Sequence, residues 1–388
     1  MSVDGLSVEG LSVDLPAPHL YPDQVPPLAD PALLDAVVPR RAPKRWVPKR
    51  VLLTRSAAPL PLARRTAERC AALGAEVVEL TGDRITGLRT DDARTTYAQA
   101  KSTLAVVVAP PSTLRLQPIP PSADWRVDLA TGCPAHCQYC YLAGSLTGPP
   151  VTRVHANLPE LLGSLAPYAD HAERRPEEGT TFEASCYTDP LGLEHLTGSL
   201  SDTVAFFGAW QADVQLRFTT KFDAVDPLLA LEHHGRTRVR LSVNAAAVTQ
   251  RFEGGTAALP ERLHALRRCA LAGFPVGLTI APIIPFDGWQ AGYGSLLRDA
   301  GEAVRDAPGL DLTVELITHR FTPGSREVLL SWYPRTKLEM DPEQRTVKRN
   351  KFGGQKHVFT KPVMAELRAA FDAGLATHLP QARVLYWT

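Results

Sequence analysis

The chain has 388 residues, enough for one large domain or two ordinary ones, and 44% hydrophobic content supplies a sizeable core. Its 42 Lys and Arg stand against 41 Asp and Glu, a formal net charge of +1 that excludes a globally basic nucleic-acid binder, so any DNA contact has to be a local patch. No apolar run approaches a membrane span, no charged-then-apolar leader opens the chain, and six cysteines, three of them clustered, fit a reducing cytoplasm better than a disulfide scaffold.

Residues 1–45 read as a flexible extension. Ser2 to Leu15 repeats a short Ser-Val-acid-Gly-Leu unit too small for a solenoid, and prolines continue to Pro39. The basic run Pro39-Arg40-Arg41-Ala42-Pro43-Lys44-Arg45-Trp46-Val47-Pro48-Lys49-Arg50 reads either as a solvated lead-in to a strand at 51–54 or as a phosphate contact with Trp46 as a stacking face. A helix is expected over 62–73, with Cys70 as packing, and strands over 75–80 and 104–108. Residues 46–120 then make a small N-terminal α/β subdomain.

From Trp125 the pattern becomes a strand–helix alternation. Strand patterns occupy 125–129, 181–184, 214–218, 239–243, 276–280 and 312–316, and helical patterns 196–210, 259–272 and 293–306 lie between them. Six parallel strands with crossover helices predict an α/β fold, a partial (β/α)6 TIM-type barrel with its chemistry at the carboxyl ends of the strands. Residues 346–359 read as two short strands around a glycine turn, a hairpin with a basic tip in a substrate-side region 345–360. A helix over 362–374 and a strand over 384–386 close this C-terminal extension, and 121–388 form one unit.

The cysteine loop follows the first barrel strand directly. It reads Ala130-Thr131-Gly132-Cys133-Pro134-Ala135-His136-Cys137-Gln138-Tyr139-Cys140-Tyr141-Leu142, with the thiols spaced C-x3-C-x2-C and only Cys70, Cys186 and Cys269 elsewhere. A closed zinc site wants four ligands, commonly in two pairs, and no second pair exists. Three thiolates on one loop suit an iron–sulfur cube with one iron left open, able to bind a small molecule that offers an amine and a carboxylate. A zinc set completed by His136 and a group of packed structural thiols are the other readings. Cys186 stands just past the second barrel strand, on the same rim, where its weakly bound thiol hydrogen can quench a carbon radical. The alternative there is a small apolar filler. Cys269, inside a helix, reads as packing.

The C-x3-C-x2-C spacing is the radical S-adenosylmethionine signature, and Ala-Thr-Gly-Cys…His-Cys-x-Tyr-Cys-Tyr-Leu resembles the spore photoproduct lyase family. The similarity runs from about Trp46 to Thr388 and takes in Ala100-Lys101-Ser102-Thr103-Leu104, Phe182-Glu183-Ala184-Ser185-Cys186 and Glu315-Leu316-Ile317-Thr318-His319-Arg320-Phe321-Thr322. The resemblance implies a [4Fe–4S] cluster on Cys133, Cys137 and Cys140, and S-adenosyl-L-methionine held by Thr188, Lys221, Ser242 and Ala281. It implies Cys186 as hydrogen donor and Tyr139 and Tyr141 as a hydrogen relay. It further implies reversal of the 5-thyminyl-5,6-dihydrothymine lesion in DNA to two thymines, with electrons from a donor such as flavodoxin or ferredoxin, in the cytoplasm and away from membranes. Three departures stand out. Ser185-Cys186-Tyr187-Thr188-Asp189 replaces the Gly-Gly-Glu run of many superfamily members, as this family does. Thr188 stands where a serine is expected. Lys351 and Phe352 replace the family's substrate-side Arg-Tyr pair, which keeps charge and stacking but loses the guanidinium fork and the hydroxyl. The altered hairpin pair and the long extension leave open a relative that acts on another nucleic-acid lesion or nucleotide. From a different class, a DNA-binding module with a structural zinc–cysteine loop also remains.

Overall fold

Two sheets organise the chain. A computed structural model describes residues 42–146, 148–169, 172, 176–349 and 354–388. Strand β1 (Arg50–Leu53), helix α1 (Pro61–Ala72), β2 (Glu76–Glu79), α2 (Ala93–Lys101) and β3 (Thr103–Val107) come first. Pro61 at the first helical position costs α1 no hydrogen bond, and Leu62, Ala63, Thr66 and Cys70 make its buried face at helical spacing. Asp92 starts α2 by accepting from the Thr95 amide at 2.6 Å.

Strands β4 (Gln117–Ile119), β5 (Ala123–Arg126), β6 (Ala130–Thr131), β7 (His136–Cys137) and β8 (Thr152–His155) follow. The first sheet does not end with residue 120. It takes in β8, parallel to β3, and β6, antiparallel to β8, giving the order β2-β1-β3-β8-β6. The cysteine loop between β6 and β8 is therefore rooted in the N-terminal sheet while it faces the barrel.

The barrel alternates as the sequence predicts. It runs through α3 (Leu158–Gly163), β9 (Thr180–Glu183), α4 (Leu191–Thr197), α5 (Ser199–Ala209), β10 (Val214–Thr220), α6 (Asp226–Leu229) and β11 (Thr237–Val243). There follow α7 (Ala246–Phe252), β12 (Glu253–Gly254), α8 (Leu259–Leu271), β13 (Val276–Ile283), α9 (Trp289–Val304), β14 (Leu312–Thr318) and α10 (Pro323–Trp332). The expected hairpin is β15 (Thr346–Arg349) against β16 (Gln355–Val358), and α11 (Lys361–His378) leads to β17 (Arg383–Trp387). The second sheet has the order β17-β14-β13-β11-β10-β9-β5-β4, parallel except for β4. All six expected strands take part, and β17 adds another beside β14. The helix expected over 196–210 is instead two, α4 and α5, broken at Gly198 with φ +69°. That glycine has no side chain to cap α5. Glu194 does so from the preceding helix, accepting from the Leu200 amide at 2.9 Å and the Ser201 hydroxyl at 2.5 Å.

Alternation along the strands sorts the two faces of the barrel sheet. Phe182, Leu216, Phe218, Val239, Leu241, Val314 and Leu316 point outward beneath the helices, with Phe182 against Phe207 of α5 at 5.5 Å between ring centroids. The concave face carries Glu183, Arg217, Arg238, Arg240 and Glu315, all buried. Arg240 on β11 reaches Glu183 two strands away on one side and Glu315, at 2.6 Å, two strands away on the other. Strands two apart are separated by roughly 10 Å on a flat sheet, so these contacts belong to a curled one. The lumen is packed with paired charge.

Two outcomes are expected. Arg240→Ala leaves Glu183 and Glu315 without their shared guanidinium and should cost about 3–5 kcal/mol, read from urea denaturation. Burial pushes the Glu194 carboxyl up to about 7, against the hydrogen bonds from Ser201 and Leu200 that pull it down. A raised folded-state value favours the protonated form, so this contribution is fully present below the unfolded carboxyl value and is lost as pH rises through about 7. Glu194→Gln should therefore gain on wild type between pH 4.5 and 8 in denaturation curves.

Candidate active site

Gly132 follows β6 with φ +82°, and a Cβ there would collide with the Val151 carbonyl oxygen, so the turn into Cys133 accepts only glycine. Two anchors hold the loop that follows. Lys101, the last residue of α2, is buried and donates to the carbonyl oxygens of Cys133 and Ala135. Strand β7 pairs antiparallel with β12, setting Cys137 opposite Glu253 and His136 opposite Gly254. Behind the loop, Tyr97 of α2 stacks near Trp332 of α10 with ring centroids 4.9 Å apart.

The three loop cysteines are free, Cys137 buried and the other two half-buried. Burial pushes the Cys133 thiol up to about 12 even with Lys101 beside it, and it raises Cys137 and Cys140 as well. Cys137 feels the charge of both Cys133 and Cys140, and Cys133 that of Cys140, so the three face one space. Thiolates in that space need a strong cationic partner. Among the described residues no three His, Cys, Asp or Glu side chains gather closely enough to hold a single metal ion. A zinc tetrahedron needs sulfurs roughly 4 Å apart, whereas a cube holds its thiolates on separate irons. The donor set fits the cluster. His136 Nδ1 lies 3.0 Å from the Tyr97 hydroxyl, and burial next to Lys101 lowers its pKa to about 4.

Three of the four residues expected to line the cofactor pocket, Lys221, Ser242 and Ala281, converge. Lys221, just past β10, has its ammonium 2.8 Å from Ser242 Oγ, 3.1 Å from Glu253 Oε1 and 3.3 Å from the Ala281 carbonyl oxygen. Its three N–H groups are thus directed at protein acceptors, the Ala281 contact being the longest. Thr188, five residues past β9, is buried, and its hydroxyl oxygen has no hydrogen-bond partner. An orphaned buried hydroxyl is what a ribose or carboxylate oxygen would satisfy.

Glu253 and Asp189 were not singled out in the sequence. Glu253 accepts from the Tyr139 hydroxyl and pairs with Lys221 and, at 2.6 Å, with Arg262. Burial pushes its carboxyl up, but Lys221 and Arg262 outweigh that and hold it at about 2. Asp189 accepts from the Lys221 amide at 2.7 Å and the Thr220 hydroxyl at 2.7 Å, tying the exits of β9 and β10 together. Its place three residues after Cys186 was the only signal available. Lys101 was visible only inside a quoted motif.

Cys186 follows β9 and is half-buried. Burial pushes its thiol up to about 12, the Asp128 carboxylate adds to that, and Arg126 opposes it. The Tyr141 hydroxyl lies within electrostatic reach of Cys186, Cys140 and Cys133, while its side chain is 60% exposed. It stands in the concavity, open to water yet ringed by protein. Tyr141 thus stands between Cys186 and the loop thiols Cys133 and Cys140 at the mouth of the barrel. Cys269 is buried in α8 and Cys70 in α1, both as packing. Lys351 and Phe352 lie outside the described residues. The base of their hairpin is held where Phe321 and His357 exchange backbone hydrogen bonds at 3.2 and 2.8 Å.

The family model of spore photoproduct lyase matches residues 46–388. The spore photoproduct lyase of Geobacillus sp. (strain Y412MC61) is 39% identical over 346 residues, covering 89% of this chain and 100% of the relative. That of Bacillus subtilis (strain 168) is 37% identical over 345 residues, covering 88% and 99%. A solved structure of a spore photoproduct lyase mutant with bound AdoMet and dinucleoside spore photoproduct superposes with a TM-score of 0.82 at 37% identity, covering 89% of this chain and 100% of that one. A second, complexed with dinucleoside spore photoproduct, gives 0.82 at 36% identity, with the same coverage. Among the described residues no helix is long and apolar enough to cross a membrane.

Lys101→Met should leave the two carbonyl oxygens without their donor while keeping the bulk of the side chain. Loss of a charge-assisted bond is worth about 1.5–3 kcal/mol. Iron bound per chain after anaerobic reconstitution should fall while far-ultraviolet circular dichroism stays as in wild type.

Proposed function

The chain belongs to the spore photoproduct lyase family, and from that premise we propose that it is a radical S-adenosylmethionine lyase that reverts 5-thyminyl-5,6-dihydrothymine in DNA to two thymines. Cys133, Cys137 and Cys140 would hold the [4Fe–4S] cluster, and Thr188, Lys221, Ser242 and Ala281 the S-adenosyl-L-methionine. When bound, the two supply a primary carbon radical. The protein contributes position and the exclusion of competing hydrogen sources. Asp189 and Glu253 hold Lys221 by its amide and its ammonium, so the cofactor side of the mouth is set before any ligand arrives.

Hydrogen removal from the saturated thymine ring lets the bond between the bases break, leaving a carbon radical on the released thymine. Cys186 then gives that carbon a hydrogen atom: its S–H bond breaks, a C–H bond forms and the sulfur is left one electron short. A thiolate has no hydrogen to give, and burial keeps this thiol protonated at neutral pH. Tyr141, beside Cys186, restores the S–H, and Tyr139 carries the hydrogen onward toward the cofactor. The observation that supports the reading is that Tyr141 lies in electrostatic reach of both Cys186 and the loop thiols Cys133 and Cys140. Lys351 and Phe352 on the hairpin are read as lesion contacts, a damaged step being cheaper to extrude from the stack. A flavodoxin or ferredoxin in the cytoplasm suits the electron supply.

The direct test is thymine release by purified, reduced protein from the dinucleoside lesion and from lesion-bearing duplex. Release is expected from both, and its absence from both would sink the reading. Cys186→Ala should keep iron content and S-adenosylmethionine cleavage but divert the repaired product, seen by mass spectrometry. An unchanged product distribution would remove Cys186 as the donor.

A further inference from the structure

The wall of the mouth beside Cys186 holds an acceptor that the reaction above leaves unused. Asp128 lies two residues past the end of β5, with only 8% of its surface exposed. Its Oδ2 meets Arg126 Nε at 3.0 Å, while Oδ1 is buried without a hydrogen-bond partner. The Arg126 guanidinium also lies over the Tyr187 ring, 4.6 Å from its centroid, so it is fixed from both sides. Strand pairing explains the neighbourhood. Arg126 is in register with Glu183, and the Val127 amide donates to the Glu183 carbonyl oxygen at 2.9 Å, so the chains leaving β5 and β9 run side by side toward Asp128 and Cys186. Both Asp128 and Arg126 lie within electrostatic reach of the Cys186 thiol.

A buried carboxylate oxygen without a donor is costly, and a ligand that brings an N–H there removes the cost. The base that takes a hydrogen atom from Cys186 has to bring a carbon against its sulfur. A thymine in that position carries one ring N–H, the imide at N3, between two carbonyls. We propose that Asp128 Oδ1 accepts this N3–H, with Arg126 as the positioning residue that turns the carboxylate toward the base. The assignment rests on the lyase reading and adds a reason for the choice of base. Cytosine offers an acceptor at N3, which a carboxylate repels, so a lesion presenting cytosine there is rejected.

The test uses equilibrium binding, which does not depend on turnover. Wild-type protein is titrated with the dinucleoside lesion and with the same lesion methylated at N3 of the thymine moiety. This arm needs no mutation. The methylated compound should bind about tenfold or more weakly, the loss of one hydrogen bond to a charged group. In Asp128→Ala the discrimination should shrink to within about threefold, with iron content checked against wild type. Equal binding of the two compounds by wild-type protein that repairs the unmodified lesion overturns the assignment. So does full discrimination retained in Asp128→Ala. Failure of wild-type protein to bind or repair the unmodified lesion overturns the lyase reading and this assignment together, and is distinguished by the missing thymine.

Discussion

The carboxylate of Glu253 is the joint on which the site depends. It sits on a strand of only two residues, paired with the two-residue strand that carries Cys137. Around it meet Tyr139 from the cysteine loop, Lys221 from the exit of β10 and Arg262 from α8. Arg262 in turn donates to the Ser242 carbonyl oxygen at 2.9 Å, and Lys221 reaches Ser242 and Ala281. A loop rooted in one sheet is thereby fixed to strand ends of the other through buried charge. Such a network tolerates no partial removal, because each partner lost leaves an uncompensated charge away from water. The position of the cluster thiols relative to the cofactor pocket is set by this joint, together with the grip of Lys101 on the other side of the loop.

The same device recurs in the body of the barrel. Its concave face could be filled with aliphatic layers, and apolar replacement of buried ion pairs is often neutral or stabilising. What paired charges add is direction. Arg240 bridges two strands away on either side, and Arg383 on edge strand β17 reaches Glu178 at 3.0 Å and Asp311 at 3.2 Å. A barrel that does not close has no ring of backbone hydrogen bonds to define its curvature. Long-range ion pairs across the concave face supply that definition.

Much of this was legible in the sequence because it rests on local pattern. The six parallel strands stand out since their outward residues are apolar and their ends are marked by polar turns. The cysteine spacing carries its own chemistry. Other features depend on partners far along the chain. Helix α2 was not foreseen, its Arg-Thr-Thr-Tyr stretch offering almost no apolar stripe until Trp332 and Tyr333 supply the surface it packs on. The break at Gly198 was hidden because apolar spacing continues across it, while the cap that ends the ambiguity, Glu194, lies four residues upstream. Strands β6 and β8 are too short and too separated from β3 for periodicity to assign them to the first sheet. Glu253 and Asp128 read as unremarkable acids, since their meaning lies in Tyr139, Lys221 and Cys186, more than a hundred residues away in the first case and more than fifty in the last.

The two tyrosines that flank Cys140 are not equivalent, and the difference follows from the joint described first. Tyr139 has its hydroxyl hydrogen committed to Glu253, with the Lys221 ammonium 5.5 Å from its ring centroid. A relay tyrosine bonded to a carboxylate can pass its proton there as its electron leaves. Tyr141 has no such partner among the described residues and stands open beside Cys186. One wall of the mouth is thus tied together through the paired charges of Glu253, Lys221 and Arg262. Near Cys186, Asp128 Oδ1 is left without a hydrogen-bond partner. A site that must deliver one hydrogen atom to one carbon gains selectivity from that asymmetry. Groups that position are tied to one another by charge, and the few left open face the space where cofactor and substrate enter.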